Sequence, residues 1–194
     1  MSQIAIVDYG LGNIANLTNA LEFLGHEVTI TNNKEELKKA EKIILPGVGH
    51  FKDAMNKINE LGLKETLSEL KEEKTFVGIC LGMQLLFEHS EEGNVDGLGY
   101  LPGEVKKITG DVTVPHLGWN KLKSTVPSLS DDVYFIHSFK VHTDENVVAT
   151  AEYDEDVVAI VQKDSLIGIQ FHPEKSGDKG LQILDQALKG GFTT

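Results

Sequence analysis

The segment Thr75-Phe76-Val77-Gly78-Ile79-Cys80-Leu81-Gly82-Met83-Gln84 decides how the rest of this chain is read. Phe76, Val77 and Ile79 end a short apolar run of the kind that makes a buried strand. Leu81, Leu85 and Leu86 then open a helical spacing, so Cys80 stands on the turn between strand and helix. Gly78 and Gly82 flank it in a G-x-C-x-G pattern, the thiol counterpart of a nucleophile elbow. Such a turn is too sharp for side chains on both sides, and it lifts the central residue out above the sheet. A helix starting at Leu81 would aim its free N–H groups and positive dipole end at the sulfur. Taken alone, Cys80 also suits plain packing as a small hydrophobe.

Upstream, Ile4-Ala5-Ile6-Val7 reads as a buried parallel strand that ends in Asp8-Tyr9-Gly10-Leu11-Gly12-Asn13. Asn13 is placed to cap a helix carrying Ile14, Leu17, Leu21 and Leu24, with Gly25 as its stop. The lone G-x-G lacks the third glycine of a dinucleotide fingerprint, so a tight strand-to-helix turn is the better account. Strands are predicted at 28–30 and 43–45, the second ending in Pro46-Gly47-Val48-Gly49, with a charged helix at 34–39 between them. Helices follow at 51–61 and 63–73. This alternation predicts an α/β fold: a doubly wound, mostly parallel sheet flanked by helices. Ligands bind such sheets beyond the carboxyl ends of the strands. The turns at 10–13 and 46–49 and Cys80 then share one rim.

Beyond Glu88 the texture changes. Residues 93–103 are turn-rich, and short strands are predicted at 105–108, 112–114, 134–141, 147–151 and 157–161. These are expected to add antiparallel strands to the sheet. With no internal repeat, linker or low-complexity tract, a single domain over 1–194 is expected. A last buried strand at 166–171 ends in His172-Pro173-Glu174-Lys175-Ser176, and a final helix carries Leu181, Leu184 and Leu188. His172 thus also stands at the carboxyl end of a central strand, and Glu174 is spaced to orient its imidazole. A base is needed. A helix terminus contributes ~0.3–1 kcal/mol, less than the ~1.4 kcal/mol of one pKa unit. That would leave an ordinary thiol of pKa ~8.5 mostly protonated at neutral pH. Cys80, His172 and Glu174 are read together as nucleophile, base and orienter.

The composition narrows the classes. Lys and Arg total 18 against 30 Asp and Glu, a formal charge of -12 over 194 residues, which argues against nucleic-acid binding. No apolar run reaches membrane-spanning length, and no signal peptide precedes the first strand. The single Cys can form no internal disulfide, which suits a cytoplasmic protein. The histidines are scattered with no i,i+4 pair, so neither a metal site nor a cofactor is expected.

Gly78-Ile79-Cys80-Leu81-Gly82-Met83-Gln84 and Phe171-His172-Pro173-Glu174 resemble the nucleophile and His-Glu signatures of class I glutamine amidotransferases. The likeness covers the whole chain. Asp8–Asn13, Leu45-Pro46-Gly47-Val48-Gly49, His116-Leu117-Gly118-Trp119-Asn120 and His172–Ser176 look, within that class, like the glutaminase subunits of imidazole glycerol phosphate synthases. The resemblance implies that Cys80 attacks the side-chain amide of L-glutamine, with His172 assisting, to give a γ-glutamyl thioester and ammonia. It implies an oxyanion hole from the backbone N–H groups of Val48 and Leu81, with glycines around Val48 letting that peptide flip. Gly47, Gly49, Gln84, His137, Ser138 and Phe139 would line the glutamine site, although Gln84 also fits a solvated helix position. Phe139 departs from the Tyr often seen there.

The resemblance further implies a partner, a (βα)8-barrel cyclase subunit held as a heterodimer, which receives the ammonia in histidine biosynthesis. Asn13, Asn16, Trp119, Asn120 and Tyr134 match interface positions, a plain core aromatic being the alternative for Trp119. The isolated chain is expected to be nearly idle. Two other readings remain: the glutaminase of a different synthase or a free-standing cysteine hydrolase, and a catalytically idle assembly or regulatory subunit, which the intact Cys80, His172 and Glu174 disfavour.

Overall fold

In β1 (Gln3–Val7) the side chains alternate between two apolar layers, which is why its four apolar residues are all buried. The computed structural model describes residues 2–192. Met1, Thr193 and Thr194, the limits of the single domain expected over 1–194, lie outside the described residues. α1 (Ile14–Phe23), β2 (Glu27–Thr31), α2 (Lys34–Lys39), β3 (Lys42–Leu45), α3 (Phe51–Glu60), α4 (Lys64–Glu73), β4 (Thr75–Ile79) and the one-turn α5 (Leu81–Gln84) follow. The second half contains β5 (His89–Ser90), β6 (Val95–Asp96), β7 (Glu104–Lys107), β8 (His116–Ser124), β9 (Asp132–His137), β10 (Phe139–His142), β11 (Val147–Tyr153), β12 (Glu155–Lys163), β13 (Leu166–Ile169) and α6 (Gly177–Leu188).

The main sheet runs β2-β1-β3-β4-β13-β12-β11-β8-β9. Its first five strands are parallel, and β12, β11, β8 and β9 extend it antiparallel. One face carries Ala5, Val7, Ile43, Leu45 and Phe76 against Phe51, Met55, Ile58, Leu63, Leu67 and Leu70 of the α3–α4 region. The opposite face carries Ile4, Ile6, Ile44, Val77, Ile79, Ile167 and Ile169 against Leu17 and Leu21 of α1 and Ile183, Leu184 and Leu188 of α6. A small sheet, β10-β7-β5-β6, flanks the main one. The doubly wound half predicted from alternating strands and helices is present, and β13 inserts beside β4 in register, Ile169 opposite Ile79. That pairing brings the chain after Ile169 alongside Cys80.

Four local expectations need correction. Residues 112–114 form no strand; Thr113 and Val114 are exposed. The strand expected at 134–141 breaks at Ser138, and its halves, β9 and β10, enter different sheets. The helix after Cys80 is one turn long, so its dipole gives the sulfur little help. Asn13 occupies the N-cap position of α1 but its side chain makes no capping bond.

Candidate active site

Cys80 adopts φ 56° and ψ -112°, a strained backbone for any residue with a Cβ. Its N–H is tied to the Ile169 carbonyl at 2.7 Å, so β13 anchors the turn. The crowding around it explains the flanking glycines. A Cβ on Gly82 would stand 1.9 Å from the Leu45 carbonyl oxygen, and one on Gly78 would stand 2.6 Å from the Gly82 oxygen. Cys80 is 6% exposed. It faces the Ile136 carbonyl at 3.7 Å and the Gln170 Nε2 at 3.9 Å.

His172 is fixed by its own backbone. Its N–H donates to the Tyr134 carbonyl at 2.9 Å, and its carbonyl accepts from the Ser176 hydroxyl at 2.7 Å. Ser176 in turn accepts from the Tyr134 N–H at 2.9 Å, closing a clamp between β9 and the His172 segment. The imidazole Nδ1 meets Glu174 Oε1 at 2.9 Å, with both side chains under 5% exposed. Burial works against a charged ring here, but Cys80 and Glu174 outweigh it and carry the His172 pKa up to about 10. Nδ1 is engaged by the carboxylate, which leaves Nε2 for the thiol.

The Pro46–Gly49 turn closes the third side. Tyr9, buried and kept neutral by that burial, donates its hydroxyl to the Pro46 carbonyl at 2.6 Å. The Leu81 N–H donates to the Gly47 carbonyl at 3.3 Å, so in this conformation that N–H is occupied. Between these parts lies a cavity of 190 Å³ lined by Val48, Gly49, Cys80, Leu81, Gln84, His137, Ser138, Phe139 and His172, with Glu92 and Lys175 at its edge. A larger, open cleft of 570 Å³ beside Lys140 and Glu155 shares no lining residue with it.

Residues 5–189 match the family Glutamine amidotransferase class-I. The chain belongs to the class I glutamine amidotransferases. It is 56% identical over 189 residues to the "Imidazole glycerol phosphate synthase subunit HisH" of Staphylococcus aureus, covering 97% of this chain and 98% of that one. The protein of the same name from Staphylococcus epidermidis is 55% identical over the same shares. Among solved structures, a glutamine amidotransferase superposes with TM-score 0.77 at 21% identity, covering 95% of this chain and 97% of that one. The PurLQS structure from Thermotoga maritima gives TM-score 0.73 at 22%, covering 97% and 98%. These two likenesses concern the fold.

Within this amidotransferase the structure brings the expected glutamine-site residues together, with Gly47 just behind them, but some in other relationships than expected. Gln84 is buried, not solvated; its Nε2 donates to the Phe139 carbonyl at 2.9 Å and to Gln170 Oε1 at 3.0 Å. His137 donates from Nδ1 to the same carbonyl at 2.8 Å and meets His116 Nδ1 through Nε2 at 3.0 Å. Burial lowers the pKa of His116 to about 4 and that of His137 to about 3, so both rings are neutral. Phe139 contributes its backbone carbonyl, which a Tyr would supply equally.

Of the expected partner-facing residues, Trp119 is 58% exposed and packs edge-on against Tyr134, their ring centroids 5.7 Å apart. It is no core aromatic. Asn16 is exposed and Asn13 half-buried. Asn120 turns inward, donating to the Glu152 carbonyl at 2.7 Å and lying 3.4 Å from His116 Nε2. Sequence reasoning passes over Gln170, Glu92, Lys175 and Ser176 as site residues. Gln170 carries one signal, a polar side chain closing an apolar run two residues before His172. Glu92 carries none; its Oε2 accepts from the Phe51 N–H at 2.8 Å, which fixes it at the start of α3. Among the described residues no cluster of three or more His, Cys, Asp or Glu is placed to hold a metal ion, and no helix is long and apolar enough to cross a membrane.

Proposed function

We propose that this chain is the glutaminase subunit of an imidazole glycerol phosphate synthase, a cytoplasmic enzyme that works as a heterodimer with a (βα)8-barrel cyclase subunit. The observation that carries the reading is the 56% identity over 97% of the chain to a synthase subunit. Cys80 and His172 in one cavity, with Glu174 bonded to His172 from behind, accord with it.

Cys80 gives its proton to His172, and the sulfur attacks the carboxamide carbon of glutamine. Glu174 holds the imidazole and stabilises its charged form. His172 returns the proton to the departing nitrogen, so that ammonia leaves and a γ-glutamyl thioester remains. Water, deprotonated by His172, opens the thioester to glutamate and restores the thiol. Glu92 and Lys175 offer opposite charges to the ammonium and carboxylate of the substrate's amino-acid end. The ammonia passes to the cyclase, which forms imidazole glycerol phosphate and an aminoimidazole carboxamide ribotide.

The oxyanion needs donors, and one such donor is worth ~10²–10³ in rate. The Gly47 carbonyl and the Val48 N–H belong to one peptide. Rotating that peptide withdraws the carbonyl from Leu81 and presents the Val48 N–H in its place, completing a two-donor hole in one motion. Binding of the substrate-loaded cyclase drives this rotation. The test is glutamate release by the chain alone and with a purified cyclase subunit and its nucleotide substrate, with Cys80→Ala as the blank. Strong stimulation that vanishes in the variant supports the reading. Equal release with and without the partner points to a free-standing hydrolase.

A further inference from the structure

We infer that Gln170 is a positioning residue for the Cys80 sulfur, holding it through an N–H···S contact that tightens when the thiol ionises. The inference rests on the reading of Cys80 as nucleophile. Gln170 is fully buried between the end of β13 and His172. Its Nε2 stands 3.9 Å from Sγ, a long contact. Bonds to an ionised acceptor are shorter and about twice as strong. The thiol's other polar neighbour, the Ile136 carbonyl at 3.7 Å, accepts from S–H and repels a thiolate. Ionisation therefore shifts the sulfur's favourable contacts from Ile136 to Gln170 and His172.

An amide can present either end, and the surrounding network determines which end Gln170 presents. The Phe139 carbonyl can only accept, so Gln84 turns its Nε2 toward it at 2.9 Å. The same Nε2 donates to Gln170 Oε1 at 3.0 Å, which leaves the Gln170 N–H for sulfur. The Phe139 carbonyl is itself held by His137 Nδ1–H at 2.8 Å. His137 Nε2 must then accept from His116 Nδ1–H at 3.0 Å, and His116 Nε2 faces the Asn120 amide at 3.4 Å. Stacking between Phe135 and Tyr153, with centroids at 4.6 and 3.8 Å, fixes the His116 ring. The direction of each of these hydrogen bonds from Asn120 to Cys80 is thereby assigned, provided both imidazoles stay neutral, as their burial ensures. The titratable groups facing the sulfur are His172 with Glu174 behind it, Tyr9 from the end of β1, His137 from β9, and Glu92 and Lys175 at the cavity edge.

The test follows alkylation of Cys80 by iodoacetamide in the full chain, without glutamine or partner, from about pH 6 to about pH 10. Gln170→Met removes the donor at near-constant volume. Gln84→Met leaves Gln170 in place and removes what orients it. Gln170→Met is expected to react about fivefold more slowly near neutral pH, which is ~1 kcal/mol at ~1.4 kcal/mol per decade. Its rate should converge on wild type at the alkaline end, where an ordinary thiol of pKa ~8.5 is ionised without help. Gln84→Met should show the same pattern at roughly half that size on the energy scale. A loosened fold would expose the buried thiol and speed alkylation at every pH, the opposite sign. Wild-type rates in Gln170→Met, or a slowing equal at both ends of the pH range, would overturn the proposal. Wild-type rates in Gln84→Met would overturn the orienting network. A wild-type Cys80 no more reactive than free cysteine near neutral pH would instead overturn its reading as nucleophile.

Discussion

The Leu81 N–H is bonded to the Gly47 carbonyl at 3.3 Å, immediately beside Cys80. In the mechanism proposed above, the backbone group that would hold the oxyanion is thus occupied by the peptide that would rotate. Rotation of one peptide changes ψ of the residue before it and φ of the residue after it, here Gly47 and Val48. Val48 has negative φ in this conformation, and a near half-turn carries it to positive φ. For a β-branched residue that region costs about 1–2 kcal/mol relative to glycine. On that mechanism Val48 would act as a brake on the rotated state. Val48→Gly should raise partner-free glutaminase activity about 5- to 30-fold and shrink stimulation by the partner in proportion. Steady-state glutamate release with and without the loaded cyclase checks this; an equal change in both would show that φ at Val48 is not the barrier.

The titration of three histidines gives the fold opposite pH limits. The folded His172 pKa, about 10, lies above the ordinary 6.5, so the folded state holds that proton more tightly than the unfolded chain. Its stabilisation is complete below about pH 6.5 and disappears as pH rises through about 10. His116 and His137, lowered to about 4 and about 3, stabilise above about pH 6.5 and lose that contribution as pH falls toward those values. Urea unfolding across the range should give a maximum near neutrality. Glu174→Gln should flatten the alkaline limb, and His116→Phe, which keeps the aromatic stack, should flatten the acid limb. An unchanged alkaline limb would remove Glu174 from the account, and an unchanged acid limb would remove His116.

Trp119 and Tyr134 are register partners on β8 and β9, and Leu117, on the same face as Trp119, is 60% exposed. An indole left this open by its own fold contributes little to that fold. Trp119→Ala should change the unfolding free energy of the isolated chain by less than about 0.5 kcal/mol. If this face meets the cyclase, losing a central aromatic should weaken association by about 2 kcal/mol or more, roughly thirtyfold. Calorimetric titration separates the two effects, and undiminished affinity would place the interface elsewhere.

What can be read from the sequence follows how local each signal is. The G-x-C-x-G elbow and the His172-x-Glu174 spacing need only a strand end and a turn, so the turn at Cys80 and the pairing of His172 with Glu174 are legible in the amino-acid order alone. Gln170 is not. Its role depends on β13 pairing with β4 and on Gln84 reaching across from α5, both set by tertiary packing. β8 escapes a reading by pattern because only His116 and Leu122 are buried along its nine residues, which leaves no apolar alternation to see. The reverse holds at 112–114, where two valines at alternate positions suggest a strand but no neighbouring strand pairs with them.

The elbow itself stores strain, and that strain is measurable. Cys80 holds φ 56° because β3, β4 and α5 converge too closely for a relaxed turn, as the clash of any Cβ on Gly82 with the Leu45 carbonyl shows. A residue with a Cβ has a cost in this region that glycine avoids, about 1 kcal/mol. Cys80→Gly and Cys80→Ala both remove the sulfur and should both abolish glutamate release with or without the partner. They should differ in stability. Alanine keeps the strained Cβ and loses the buried sulfur's packing, whereas glycine loses the same packing but relaxes the backbone. Cys80→Gly should therefore unfold at higher urea than Cys80→Ala, by about 1 kcal/mol in unfolding free energy, with unchanged m-value. If the alanine variant proved equally or more stable, the turn would not be strained, and the left-handed conformation would be a preference of the surrounding chain.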